Sequence, residues 1–341
     1  MNSASPAPCF FALSESRDAG LAVAREAGLE PAGLEERSFD GGEFKLRPLE
    51  SVRGRTVFVY QSLAGTEDAA ASERLVRLLF LLSGLRDAGA ERLVAVVPYL
   101  AYARKDRRTQ PRDPVYTRYV AELFEAAGAD RVMALDVHNP AALDNAFRIP
   151  VDHLSALPMM ADHVAARFHD ADLVVASPDV GGIKRVQLFK ELLEQKLGRA
   201  VELAFIEKRR TGGVVSGGAV VGMTGTRSTV IVLDDLCATG GTLIRAAQAF
   251  CKAGAAAVHV AVTHVPLHAG LDAVVREEAI AGVVITDSVG APNFQLGDSS
   301  PPPGKVVCLP VAPLLGQAVR RMLTGRPLLP LLLQWPAAIE E

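Results

Sequence analysis

The chain of 341 residues is 49% hydrophobic and 22% charged, which is more than one ordinary core and enough for two domains. Lys and Arg number 36 against 39 Asp and Glu, a formal charge of −3. This near balance excludes the broad basic surface that binding to a nucleic acid or another polyanion requires. Aromatics make up only 6%, so Ala, Val and Leu carry the apolar load, as in buried parallel strands covered by helices. Cys9, Cys237, Cys251 and Cys308 form no CxxC pair, so reduced thiols in a cytoplasmic protein are expected. No apolar run reaches the roughly 18 residues of a membrane span, and residues 1–18 lack the basic start and apolar stretch of a secretion signal.

In chain order, strands are expected at Val57–Gln61, Leu93–Pro98 and Arg131–Asp136. Helices lie between them at Arg74–Ala88, closed by Gly89, and Thr117–Ala127, closed by Gly128. The second half repeats this rhythm. Strands are expected at Leu173–Ala176, Ala204–Ile206, Val230–Leu233, Ala257–Val262 and Val283–Thr286, with a helix at Thr242–Ala253 closed by Gly254. Strand, helix and strand at this spacing imply parallel sheets with right-handed crossovers. The halves also echo each other: RTVFVYQS answers STVIVLDD, and GLRDAGAERLVAVVPY answers AFCKAGAAAVHVAVTH. The offset falls from 173 (Val57 to Val230) to 151 (Asp136 to Asp287), which puts the insertions in loops of the first copy. Two related α/β domains follow, with a boundary between Pro150 and Asp170 and a Pro/Leu-rich tail from Gly325.

The strongest local signal is Val230-Ile-Val-Leu-Asp-Asp-Leu-Cys-Ala-Thr-Gly-Gly-Thr242. A buried strand ends in two acids, and a Thr-Gly-Gly-Thr turn opens a helix. Gly240 and Gly241 free the backbone to aim N–H groups into one concavity, the helix start adds its positive end, and Thr239 and Thr242 supply hydroxyls. The result is a seat for a phosphate monoester. Asp234 and Asp235 beside an anion imply a sugar, a metal or both. Arg104, Lys105, Arg107 and Arg108 follow the end of a strand, where open α/β sheets bind ligands, and suit a triphosphate. His138 ends another strand, two residues after Asp136. Asp179, between Pro178 and a Gly-Gly pair, is placed to hold a metal through one carboxylate. Lys208 and Arg210 precede Thr211–Gly218, a Gly/Val/Ser stretch with the composition of a flap.

Taken together, these segments resemble the ribose-phosphate diphosphokinases (PRPP synthetases). The 230–242 motif is similar to their phosphoribosyl-diphosphate loop, which type I phosphoribosyltransferases share. Pro98-Tyr-Leu-Ala-Tyr-Ala-Arg-Lys-Asp-Arg-Arg108 resembles their Pro-Tyr-x-x-Tyr-Ala-Arg-Gln-Asp-Arg segment, and Leu135-Asp-Val-His138 their Asp-Leu-His. Ser177-Pro-Asp-Val-Gly-Gly182, Glu207-Lys-Arg-Arg210 and Phe39-Asp-Gly-Gly-Glu43 find counterparts in the same order, from about residue 39 to 290.

The resemblance implies two tandem type I phosphoribosyltransferase-like α/β domains, each a mostly parallel sheet flanked by helices. Residues 1–158 form the ATP side, 159–320 the ribose 5-phosphate side, and 321–341 an extension. It implies transfer of the diphosphoryl group of ATP to the 1-hydroxyl of ribose 5-phosphate, giving PRPP and AMP, with Mg²⁺. ATP would be contacted by Phe39, Glu43, Arg104, Lys105, Asp106 and His138. Ribose 5-phosphate would be contacted by Asp179, Asp234, Asp235, Cys237, Ala238, Thr239, Gly240, Gly241 and Thr242. The metal would lie at His138 and Asp179, and Lys208, Arg210 and His138 would be catalytic. A cytoplasmic homo-oligomer built from dimers, up to a hexamer, is implied, with the Phe39 hairpin reaching a neighbouring subunit's adenine and no nucleic-acid or membrane partner.

Departures from the pattern are Lys105 in place of Gln, Ala238 where Asp is frequent, and Gly41 at an Asp position. The flap is rich in glycine, and Met223–Arg227 has no acid. Two other readings stay open on the sequence: a type I phosphoribosyltransferase that consumes PRPP, and a non-catalytic synthetase-like regulatory subunit.

Overall fold

The structure is a computed structural model and describes residues 6–66, 69–211, 214–225, 227–290 and 304–333, with side chains omitted at 208–211, 214–218, 268 and 333. The chain divides into two compact units. The described residues of the first are 6–155, 288–290 and 311–328; those of the second are 156–287, 304–310 and 329–333.

The first unit runs β1 (Cys9–Ala12), α1 (Arg17–Ala27), β2 (Leu34–Ser38), β3 (Phe44–Pro48), β4 (Thr56–Tyr60), α2 (Ala71–Asp87), β5 (Arg92–Val97), α3 (Tyr116–Ala126), β6 (Arg131–Leu135), α4 (Pro140–Ala146) and β7 (Val151–Leu154). Strands β1-β4-β5-β6-β7 form an all-parallel sheet in that order. The sheet interior is apolar on both faces: Val57, Phe58, Val59 and Tyr60 of β4 and Leu93–Val97 of β5 are fully buried. Such continuous runs are what a sheet covered on both sides demands. Strands β2 and β3 pair antiparallel as a separate hairpin, Leu34 opposite Pro48 and Ser38 opposite Phe44.

The second unit contains α5 (Leu157–Arg167), β8 (Leu173–Ser177), α6 (Ile183–Leu197), β9 (Glu202–Thr211), β10 (Val214–Val221), β11 (Thr229–Leu236), α7 (Gly241–Lys252), β12 (Ala257–His264), α8 (His268–Arg276), β13 (Gly282–Thr286), β14 (Val306–Leu309) and, past α9 (Ala312–Leu323), α10 (Leu329–Leu333). Its sheet order is β10-β9-β8-β11-β12-β13-β14, parallel except for the β9–β10 pair. Helix α9 belongs to the first unit. A Cβ added at Gly316 would clash with the backbone and Cβ of α1 at Glu26 and Ala27, so the glycine is what lets the two helices lie in contact.

The internal repeat is visible in the topology. Sheet order β1-β4-β5-β6-β7 has its counterpart in β8-β11-β12-β13-β14. Residues 98–115 connect β5 to α3, whereas 265–267 suffice between β12 and α8, so the shrinking offset arises from first-copy loops. One expected boundary is corrected. The strand expected to stop at Ile206 continues as β9 to Thr211 and turns into β10, because the Val/Gly/Ser run pairs antiparallel with it.

Candidate active site

The loop that the sequence marks as a candidate phosphate seat forms where β11 leaves the sheet. Gly240 sits at φ 77°, a left-handed conformation that suits glycine. A side chain there would also meet the Gly270 carbonyl at 2.7 Å and Val274 at 2.8 Å. Gly270 in turn lies so close to the Ala238 carbonyl that a Cβ would overlap it. The loop is therefore clamped between α7 and the start of α8. Thr239 is exposed, and Gly241 and Thr242 are half-buried. The Cys237 N–H donates to the His264 carbonyl at 2.9 Å. Burial, aided by the Asp234 charge, pushes the Cys237 thiol up to about 11, so Cys237 is a packed thiol and no nucleophile.

Asp234 and Asp235 stand at the strand end, Asp235 buried and Asp234 half-buried. Asp234 accepts from the Asp235 N–H at 2.9 Å. The Arg185 guanidinium bonds Asp235 at 2.9 Å and lies 3.6 Å from Asp234. Burial, followed by the adjoining Asp235, pushes the Asp234 carboxyl up, against the opposing pull of Arg185. Arg185 is paired with Asp235, and the upward push favours the neutral form of Asp234, whose ionisation a divalent cation or donating hydroxyls would promote.

The Ser177–Gly182 turn is built around close approach. Ser177 Oγ donates to the Asp179 carbonyl at 2.5 Å, Asp179 caps the turn by accepting from the Gly181 N–H at 3.0 Å, and a Cβ at Gly182 would meet Ser177 Oγ at 2.5 Å. Lys208 and Arg210 lie in β9, paired with Gly218 and Val215 of β10. Their side chains lie outside the described residues, as do Gly212 and Gly213.

In the first unit, Arg104–Arg108 and His138 lie beyond the C-terminal ends of β5 and β6. Asn139 Nδ2 donates to Asp106 at 2.6 Å, while its Oδ1 caps α4 by accepting from Ala142 N–H at 3.3 Å. This ties the two segments together at the residue that follows exposed His138. Asp136, at φ 37°, is buried and accepts from Ser155 at 2.7 Å, which gives it a structural task. Arg104 is exposed. Lys105 Nζ bonds Asp113 at 2.6 Å, and the same carboxylate accepts from Thr109 N–H, Thr109 Oγ1 and Gln110 N–H at 2.7–2.9 Å. Those bonds, Lys105 first, hold the Asp113 carboxyl well below the usual range. In the β2–β3 hairpin, Phe39 and Glu43 close the turn, Phe39 N–H donating to the Glu43 carbonyl at 2.8 Å. Gly41 and Gly42 have φ 86° and 87°, so Gly41 answers to backbone conformation. Phe39 is 49% exposed.

Sequence reading missed Arg185, Asp113 and Gly270, and gave Ser177 no role beyond its place in the 177–182 motif. Arg185 follows Gly182 by three residues, and only the fold turns it back onto the β11 acids. The Asp113 clasp had no sequence pattern to announce it.

Two family models match the chain. One describes the N-terminal domain of ribose phosphate pyrophosphokinase and covers residues 9–128; the other describes a phosphoribosyl transferase domain and covers residues 153–290. Ribose-phosphate pyrophosphokinase 1 of Streptococcus pneumoniae serotype 4 is 35% identical over 324 residues, 94% of this chain and 95% of that protein. The chain belongs to the ribose-phosphate pyrophosphokinase family. The Streptococcus mutans pyrophosphokinase 1 is 33% identical, again over 94% of this chain and 95% of its own length. The crystal structure of phosphoribosylpyrophosphate synthetase from Mycobacterium smegmatis superposes with a TM-score of 0.80 at 30% identity, covering 93% of this chain and 99% of that one. The fold is the tandem phosphoribosyltransferase-like α/β pair expected of a ribose-phosphate pyrophosphokinase. The activity is catalytic ribose-phosphate pyrophosphokinase activity, a nucleotide- and ribose 5-phosphate-binding transferase reaction in PRPP biosynthesis. This decides among the three readings the sequence left open. Among the described residues no helix is long and apolar enough to cross a membrane, and no group of three or more His, Cys, Asp and Glu is poised to hold a metal.

Proposed function

We propose that this ribose-phosphate pyrophosphokinase seats the phosphate of ribose 5-phosphate on Ala238–Thr242, with Cys237 contributing backbone only. The ribose hydroxyls donate to Asp234 and Asp235. The observation that carries this reading is the β11–α7 junction, where a paired acid edge adjoins a glycine-opened loop with two hydroxyls. ATP engages Arg104, Lys105, Asp106 and His138, and Phe39 and Glu43 serve the adenine of a neighbouring subunit in a homo-oligomer. Lys105 exchanges its Asp113 partner for a phosphate oxygen on binding.

Asp179 in the second unit and His138 in the first are the residues that would each hold Mg²⁺ in their own unit. The donor set fits a hard cation that takes few protein carboxylates and completes its shell from phosphates and water. Bound there, Mg²⁺ would neutralise phosphate charge. The anomeric hydroxyl attacks the β-phosphorus of ATP in line, the bond from the β-phosphorus to the oxygen bridging it to the α-phosphate breaks, and AMP leaves. The hydroxyl proton passes to solvent, with no side chain required as a strong base. Lys208 and Arg210 neutralise the charge that spreads over the transferring group, which is the main task of a protein in phosphoryl transfer.

The test is Lys208→Ala. Turnover is expected to fall by about 10²–10⁴-fold with the melting temperature unchanged. Activity equal to the parent protein would remove Lys208 from the reaction.

A further inference from the structure

The described phosphate loop has one cation beside it that neither the motif nor the comparisons single out. Arg245 lies one turn into α7, after Gly241, and is exposed while Leu243, Ala246, Ala247 and Phe250 face the core. Helical side chains lean toward the N-terminus of their helix, so Arg245 folds back over the turn that carries the loop. Its Nη2 donates to Thr242 Oγ1 at 3.4 Å. A Cβ placed on Gly241 would stand 3.2 Å from Arg245 Nη1 and 3.9 Å from Thr239 Oγ1. The space left open by Gly241 is therefore bordered by a guanidinium on one side and a hydroxyl on the other. Among the described residues no carboxylate lies within ion-pair distance of Arg245. Arg185, by contrast, is committed to Asp234 and Asp235.

We infer that Arg245 is a binding residue for the phosphate of the sugar phosphate. This rests on the reading of Ala238–Thr242 as the phosphate seat. A guanidinium offers a fork of donors matched to phosphate oxygens. At this position it closes the seat opposite the loop N–H groups and turns a neutral cradle into one that selects a dianionic group. The chemistry recognised is a terminal phosphate monoester on a pentose. Arg245 lies on α7, past the loop, whereas the acids proposed to serve the sugar precede the loop at the end of β11, so on this reading its contribution falls on binding and spares the chemical step.

The experiment is steady-state kinetics of the full-length enzyme with ATP and ribose 5-phosphate each varied, for Arg245→Gln, Arg245→Lys and Thr242→Ala. Arg245→Gln is expected to raise KM for ribose 5-phosphate about 10- to 100-fold, with KM for ATP and kcat within about twofold. Arg245→Lys is expected to recover part of the loss. No change in KM for ribose 5-phosphate, or an equal rise for both substrates, overturns the proposal. Thr242→Ala separates the two readings. If it raises KM for ribose 5-phosphate while Arg245→Gln does not, the loop keeps the phosphate and Arg245 is dismissed. If neither variant moves that KM, the seat itself is misplaced and both readings fall.

Discussion

Asp234 carries an electrostatic cost in the folded protein. Its carboxyl is pushed up by burial first and by Asp235 second. An acid whose folded pKa exceeds its unfolded value loses stability as pH rises above the ordinary carboxylate range, and the loss grows until the folded pKa is passed. Asp234→Asn cannot ionise. It is therefore expected to be more stable than the parent by about 0.5–2 kcal/mol at pH 8, with the gain vanishing near pH 4, while activity collapses. Thermal melts across that range check it, and a less stable variant at pH 8 would contradict the charge assignment. The Asp113 clasp has the opposite sign. Its carboxyl is held low by Lys105 and then Thr109, so the clasp persists above the ordinary carboxylate range and is lost only in stronger acid. Asp113→Ala is expected to raise KM for ATP several-fold by loosening residues 105–113. The melting temperature should hardly move, because exposed pairs contribute little to stability. At this scale Asp234, Asp235, Thr239 and Thr242 were legible because one short motif contains them. Arg185 and Asp113 were not, because each acts through a contact that folding creates.

The β11–α7 junction works as an element because a neighbouring element holds it. Gly270 at α8 packs on the Ala238 carbonyl, and Gly240 packs on Gly270 and Val274. Gly270→Ala should force the loop to shift. Overpacking of this kind costs about 1–3 kcal/mol, so a lower melting temperature and a raised KM for ribose 5-phosphate are expected together. A variant with parental KM would show that the clamp does not set the seat. The strand-and-helix rhythm of both halves was readable, since buried parallel strands are apolar without interruption and their helices end at glycine. Strand β1, with the short run Cys9–Ala12, and the β9–β10 extension escaped notice. A four-residue run gives no periodicity, and Gly-rich strands resemble loops until a partner pairs with them.

For the whole molecule, the repeat supplies two sets of strand ends, on which the proposed ligand regions are built. The candidate residues follow C-terminal strand ends in both units but not corresponding ones: Arg104–Arg108 and His138 come after β5 and β6, while Asp234–Thr242 end and follow β11, the counterpart of β4. The long first-copy loop, residues 98–115, carries the basic cluster, whereas its short counterpart, 265–267, leads into the loop clamp at Gly270. The two copies thus differ chiefly in loops carried on a repeated sheet. The duplication was legible from the offsets between matched strands. The assignment of α9 to the first unit was not, because its contact with α1 depends on Gly316, far from any motif. The central claim is intact diphosphoryl transfer. Purified protein incubated with ATP, Mg²⁺ and ribose 5-phosphate should yield AMP and PRPP in equal amounts, with no AMP when ribose 5-phosphate is omitted. Formation of ADP in place of AMP, or no AMP above the ATP-only control with several divalent metals and added phosphate, would contradict it.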